Sequence, residues 1–247
     1  MSFQVETISE QGNFRDNNED AIAWGVGPQQ QFCWMVIADG MGGHQAGEVA
    51  SEMLLAIFRQ AMQQIEVHQL KQLNWAEKLP LLMQSANQQI FQSAQSNKAL
   101  AGMGTTGVVL VLTSQMYHLA WVGDSRAYQI VDGHLIQKTK DHTAIQYLLD
   151  KGVISQADAS RSNTRHLLAK AIGTQLNVET DYLSGVRASD DQWFLSTDGL
   201  HDFIVDQQLT EQLNLYLEQK NTLKTLIELA IANGSTDNIT LGIVKNI

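Results

Sequence analysis

The sequence predicts an α+β fold in which two antiparallel sheets pack face to face and helices cover their outer faces. Three observations carry that expectation. Short runs of β-branched, aromatic or alternating apolar residues, bounded by Gly, Asp, Asn or Ser, recur along the chain at strand length. Between residues 46 and 96 the pattern changes to the longer period of amphipathic helices. Several later strands follow one another through short turns, which favours antiparallel pairing, and the strands are too many for one small sheet.

The elements follow in order. Strands are expected at residues 3–9, 21–26 and 32–38. A helix over 46–67 places Val49, Met53, Ile57 and Met62 near one face, with Leu54 and Phe58 beside them. A second helix over 76–96 does the same with Leu82, Ala86, Ile90 and Ala94, and Pro80 falls near its first turn, where proline is tolerated. Strands are then expected at 107–113, 118–122, 127–131 and 135–139. Asp132-Gly133 between the last two is a hairpin turn signal. Shorter helices fit 144–151, 207–217 and 223–233, and further strands fit 178–183, 193–196 and 239–244. No repeat and no linker rich in Pro, Ser or Gly divides the 247 residues, so 1–247 is expected to form one domain.

Composition excludes several classes. No apolar run approaches the roughly 18 to 20 residues of a membrane span. The first nine residues alternate polar and apolar and do not resemble a signal peptide, so a cytoplasmic location is expected. The single cysteine, Cys33, has no disulfide or thiolate partner and sits in an apolar run. The formal net charge is −10, and Lys and Arg are not clustered, so no nucleic-acid partner is expected. The acidity reads either as a soluble surface or as carboxylates that hold cations.

The positions of the aspartates bear on that choice. The buried run 34–38 leads straight into Asp39-Gly40, the run 193–197 into Asp198-Gly199, and the run 118–122 into Gly123-Asp124. Asp20 opens the strand 21–26, and Asp237-Asn238 opens 239–244. One Asp-Gly is ordinarily a turn. Five carboxylates at strand ends are costly to desolvate unless they pair or coordinate a cation. The candidate donors are all oxygen, with the Gly40 carbonyl as a further one, and no His or Cys cluster has zinc spacing, so Mg²⁺ or Mn²⁺ fits best. Several carboxylates could hold two ions. Arg15 precedes Asp20 in a polar loop and could read a phosphate by its bidentate fork or form a surface ion pair. The glycine-rich stretch 39–47 lacks the lysine and spacing of a nucleotide cradle, and its glycines instead allow close backbone approach.

These motifs in this order resemble the bacterial branch of the metal-dependent protein phosphatases, the PP2C-type or PPM family. The resemblance rests on Arg15-Asp16-Asn17-Asn18-Glu19-Asp20, Asp39-Gly40-Met41-Gly42-Gly43-His44, Gly104-Thr105-Thr106, Gly123-Asp124-Ser125-Arg126, Asp141-His142, the stretch 164–173, Ser196-Thr197-Asp198-Gly199 and Asp237-Asn238, nearly end to end. It implies a four-layer α-β-β-α sandwich, phosphoserine and phosphothreonine protein substrates, and dependence on two Mn²⁺ or Mg²⁺ ions. By motif, Asp39 would bridge the two metals, and Asp198 and Asp237 would hold one. The Gly40 carbonyl and, through water, Glu19 would hold the other, with Asp20 in support. Asp124, with Asp198 and Asp202, would form a weaker third site. Arg15 would bind the substrate phosphate, and a metal-bridging hydroxide would attack phosphorus directly, with no phosphoenzyme. A cognate Ser/Thr protein kinase is the expected partner, and no membrane association is expected.

The sequence departs from the family pattern at two positions. Eukaryotic members carry a histidine directly after Asp-Gly that can protonate the leaving group; here the residue is Met41, which cannot. His44 or a metal-bound water could take that role. His201 stands where a neutral residue is common. Residues of about 144–164 correspond to a flap over the site, in which Arg161 and Arg165 could dock phosphopeptides. Two other functions share the motifs: a catalytically silent binding or regulatory module of the same fold, and a phosphoesterase acting on small molecules. Retention of Asp39, Asp198 and Asp237 weighs against the first.

Overall fold

The computed structural model describes residues 2–42, 46–159, 167–188 and 191–246. Strands β1 (Phe3–Glu10), β2 (Asp20–Val26) and β3 (Phe32–Met41) come first. Helices α1 (Ala46–Gln63) and α2 (Trp75–Ser96) follow. Next are strands β4 (Gly104–Thr105), β5 (Gly107–Thr113), β6 (Met116–Val122), β7 (Arg126–Val131) and β8 (His134–Gln137). The chain then forms α3 (Ala144–Asp150), α4 (Gln156–Ala159), β9 (Asp181–Val186), β10 (Gln192–Ser196), α5 (Asp198–His201), α6 (Asp206–Leu217), α7 (Leu223–Ala232) and β11 (Ile239–Asn246).

Two antiparallel sheets result, as the sequence predicts. One runs β1-β11-β10-β7-β8, the other β2-β3-β5-β6-β9, with β4 paired to the end of β3. Period-two alternation explains the layering. On β3, Cys33, Met35 and Ile37 point between the sheets, whereas Phe32, Trp34, Val36 and Ala38 point at α1 and α2. On β10, Trp193 and Leu195 enter the inter-sheet core and Phe194 packs under α6 and α7. A central strand covered on both faces has no polar side, so it reads as a continuous apolar run. Burying both faces of both sheets gives the order helix, sheet, sheet, helix.

Several local expectations are corrected. Strand β3 runs on through Asp39 and Gly40 to Met41, because Gly40 and Met41 pair with Thr105 and Gly104. Helix α1 ends at Gln63, and its fully buried stripe is Ala50, Leu54 and Phe58, with Val49, Met53 and Ile57 half-buried beside it. The small residues Ala46, Gly47 and Ala50 bring that stripe onto the sheet. Pro80 lies in the second turn of α2, not the first. The hairpin at Asp132-Gly133 is as expected, with positive φ at both residues (50° and 74°), as a type I′ turn requires.

Strand β9 begins three residues later than the pattern at 178–183 suggests, because the preceding loop is pinned to α2. Buried Asn87 accepts from Gly173 N–H (2.7 Å) and donates to the carbonyls of Gln175 (2.9 Å) and Leu176 (3.0 Å). Gln84 accepts from Val178 N–H (3.2 Å) and donates to Asn177 Oδ1 (3.0 Å). Gly173 has φ +88° and no room for a Cβ against Ile90. Among the described residues no helix is long and apolar enough to cross a membrane. Asn87→Ala is expected to lower unfolding free energy by about 2–4 kcal/mol, since it leaves the Gly173 N–H and the Gln175 carbonyl without their partner and the Leu176 carbonyl with only the long bond from Gln84. Urea denaturation at fixed pH measures the change, and a loss below about 0.5 kcal/mol refutes the pinning role.

Candidate active site

The site begins with a register. Asp20 and Asp39 are antiparallel partners on β2 and β3, so two carboxylates stand side by side where the strands leave the core. The backbone of Asp39 is held from β4 and the residue that follows it: Asp39 N–H donates to Thr106 Oγ1 (2.9 Å), and its carbonyl accepts from Thr106 N–H (2.8 Å) and Thr105 Oγ1 (2.9 Å). That is what Gly104-Thr105-Thr106 does. Asp20 lies behind Asp39, buried, and its Oδ2 accepts from Thr197 Oγ1 (2.8 Å).

Two glycines let the next residues close in. A Cβ on Gly40 would fall 2.2 Å from the Gly47 carbonyl oxygen, and one on Gly47 would fall 2.7 Å from the Glu19 carboxyl carbon. Only glycine at both positions lets α1, β3 and the Glu19 loop meet. Gly40 N–H donates to the Glu19 carbonyl (3.1 Å), which also accepts from Ser51 Oγ (2.7 Å).

From the other sheet, Asp198 is the first residue of α5, just past β10. The short helix packs so closely on the start of β11 that a Cβ on Gly199 would meet the Asn238 carbonyl at 2.0 Å. Asn238 accepts from Glu19 N–H (2.9 Å) and donates to the carbonyls of Gln11 (2.9 Å) and Asn17 (3.0 Å). One side chain thereby ties the Arg15 loop to Asp237. Arg15 Nη2 lies 2.6 Å from Asp237 Oδ2, both groups partly exposed.

Asp124 lies in the loop between β6 and β7. Gly123, at φ +105°, makes the turn, and His142 holds it: Gly123 N–H donates to His142 Nδ1 (3.1 Å) and His142 N–H to the Gly123 carbonyl (2.9 Å). Arg126 grips Asp141 bidentately (2.9 and 2.6 Å), and Ser125 and Thr106 hydroxyls meet at 2.7 Å. The segment 142–144 in turn bonds to 167–169, which forms a wall of the site.

Arg15, Glu19, Asp39, Gly40, Asp124, Asp198 and Asp237 line one cavity of 570 Å³. Asp202 lies elsewhere, in an adjoining cavity of 240 Å³ that shares Asp124 and Asp198. Asp20 lines neither, in keeping with its place behind Asp39. His44, Arg161 and Arg165 lie outside the described residues. The described part of the segment 144–164, α3 and α4, borders the smaller cavity through Ile145, Gln146, Leu149 and Ala159. Cys33 is in the inter-sheet core, where burial pushes its thiol up to about 12. The roles of Asn238, Thr106, Asn87 and His142 as ties were not foreseen.

The electrostatics are those of an acidic cluster removed from water. Burial, then the charges of Asp20, Asp198, Asp124 and Asp237, push the Asp39 carboxyl well above its ordinary range. Burial, then Asp198, Asp141 and Asp202, do the same to Asp124. Asp20 is pushed up to about 7 by burial, against hydrogen bonds from Thr240 and Thr197. Among the described residues the carboxylates are spread around the cavity wall rather than drawn in on one point. Their repulsion, and a donor set made only of oxygen, fit a hard divalent cation. A two-sheet sandwich with such a cavity, and with a guanidinium at its edge, has the making of a metal-dependent phosphate-ester site.

The comparisons with known proteins agree. The chain belongs to the protein phosphatase 2C family, whose model matches residues 14–229. It is 34% identical over 233 residues to the serine/threonine protein phosphatase PstP of Mycobacterium tuberculosis, covering 94% of this chain but only 43% of that relative's length. The crystal structure of the M. tuberculosis serine/threonine phosphatase PstP/Ppp superposes with a TM-score of 0.87 at 32% identity, covering 99% of this chain and 98% of that one. The catalytic domain of PstP in complex with two manganese ions superposes with a TM-score of 0.83 at 31% identity, covering 98% and 97%.

A stability prediction follows from the raised carboxyl groups. Their folded-state pKa lies above the unfolded value, so their stabilising contribution is complete at low pH and is lost as pH rises through the folded value, about 7 for Asp20. Metal-free protein is expected to lose thermal stability between about pH 5 and pH 8. Saturating Mn²⁺ at pH 8 is expected to raise Tm by about 5–10 °C. Asp39→Asn should raise the metal-free Tm at pH 8 and abolish the Mn²⁺ shift. Scanning calorimetry with and without chelator reads all three, and an unchanged Mn²⁺ shift in the variant removes Asp39 from the metal site.

Proposed function

We propose that this chain is a metal-dependent protein serine/threonine phosphatase that hydrolyses phosphoserine and phosphothreonine in phosphoproteins. The observation that carries the reading is the meeting of Asp39, Asp124, Asp198 and Asp237 with Arg15 at one cavity, in a chain of the protein phosphatase 2C family. Asp39 is assigned the place between two cations, Asp198 and Asp237 one of them, and the Gly40 carbonyl with Glu19 through water the other. Asp20, the partner of Asp39 on β2, is assigned a supporting place in this cluster. Asp124, with Asp198 and Asp202, is assigned a weaker third cation at the boundary between the two cavities. Mn²⁺ or Mg²⁺, when bound, supplies an activated water and offsets the negative charge of the phosphate.

The chain's own residues do the rest. Arg15 is half-exposed and its pair with Asp237 is at the surface, where ion pairs are weak, so an incoming phosphate dianion can take the guanidinium fork. The fork then orients the phosphoryl group over the carboxylate wall. Met41 lines the cavity and has no proton to give, so His44 is assigned the proton of the departing seryl or threonyl oxygen. A single catalytic domain, a flap at about 144–164, a cytoplasmic location and a cognate Ser/Thr kinase complete the proposal.

With Mn²⁺ present, release of phosphate from phosphothreonine peptides is expected to far exceed that from phosphotyrosine peptides. Asp198→Ala and Asp237→Ala should each lower kcat/KM by more than about 100-fold, beyond the effect of losing an outer-shell partner. Wild-type rates no higher than those of the two variants would sink the enzyme reading. His44→Ala should cost more on a phosphopeptide than on an activated aryl phosphate, whose leaving group needs no proton. Equal losses on both would remove His44 from that role.

A further inference from the structure

A groove of 260 Å³ opens off the carboxylate cavity. The two share a wall, Ala169 to Ala171 with Thr174 and Gln175, and the groove continues to Asn177, Val178 and Glu179. Its floor is the loop that Asn87 and Gln84 fix to α2, braced further by the paired Thr105 and Ile172 backbones (2.9 and 3.0 Å). A chain segment entering the groove therefore meets a surface that is already ordered, and no loop must be frozen on binding.

The groove's lining carries one cation, Lys170, and one carboxylate, Glu179, and Lys170 is shared with Asp181 just outside it. Lys170 Nζ lies 3.3 Å from Asp181 and 3.5 Å from Glu179, one ammonium between two carboxylates. The Glu179 side chain is 84% exposed and has no other ion-pair partner among the described residues. It can accept a second cation without giving up anything buried. The whole chain, with 26 acidic and 16 basic residues, also draws cationic partners.

Resting on the phosphatase reading, we propose that this groove takes the segment flanking the phosphorylated residue of a phosphoprotein, and that Glu179 selects a basic side chain within it. The cavity reads the phosphate, and the groove reads the sequence beside it. Continuity of the two, and an exposed carboxylate at the far end that shares its one ammonium with Asp181, assign the occupant.

The test walks a single arginine through the positions on both sides of a phosphothreonine, each peptide compared with its alanine counterpart, with p-nitrophenyl phosphate as a substrate that has no flank. Wild type is expected to favour arginine at one flanking position by about 2- to 5-fold in kcat/KM, through KM, as an exposed ion pair gives. Glu179→Gln should erase that preference, and Glu179→Lys should reverse it in favour of glutamate at the same position. Turnover of p-nitrophenyl phosphate should be the same in all three proteins. Peptide turnover with no position preferring arginine, or a preference that survives Glu179→Lys, overturns the proposal alone. Absence of turnover on every substrate overturns the phosphatase reading and the proposal with it.

Discussion

Asp20 and Asp39 stand side by side across β2 and β3, and the charges of Asp198 and Asp237 raise both. Folding brings these charges together because hydrophobic layers on either side leave the strands no other register: slipping β3 by one residue would turn Met35 and Ile37 out of the inter-sheet core. The sandwich therefore imposes a repulsion that it cannot relieve from within. Large cores tolerate such local cost, and sites of this kind are where proteins carry it.

The surrounding polar network makes sense in that light. Asn238 spans three segments, Thr106 holds both backbone groups of Asp39 in place, and Thr197 bonds Asp20. Without these ties the carboxylate-bearing segments, which come from both sheets, would drift apart under their own charge. The Asn238 and Thr106 ties also satisfy part-buried backbone donors and acceptors, each of which costs about 1–3 kcal/mol when left bare in the interior. Fixing the donors before any cation arrives is what preorganisation means for such a site.

Much of the fold was legible because it depends on local pattern. The strands, α1, α2 and the hairpin at Asp132-Gly133 follow from periodicity and turn chemistry. Beyond reach were features set by distant partners. The strand character of Gly40 and Met41 depends on Thr105 and Gly104, a strand of two residues that carries no pattern of its own. The late start of β9 depends on Asn87, a polar residue inside an apolar helix face, and a lone buried asparagine does not announce which loop it holds. The aspartates were found by position, but the separation of Asp202 into its own cavity is a matter of where α5 points.

The carboxylate cavity can recognise phosphate and cations, and neither distinguishes one phosphoprotein from another. Selectivity has to come from surfaces that touch what lies beyond the phosphate. Two such surfaces border the cavity: the side of α3 and α4, through Asp124 and Asp198, and the wall 169–175, through the pinned loop. They differ physically. The side of α3 and α4 is built on short helices, which few internal bonds hold together. The wall is bonded to a helix of 22 residues and to the threonines that hold Asp39. A substitution that loosened the wall would therefore also shift the Asp39 backbone, because Thr105 bonds both Ile172 and Asp39.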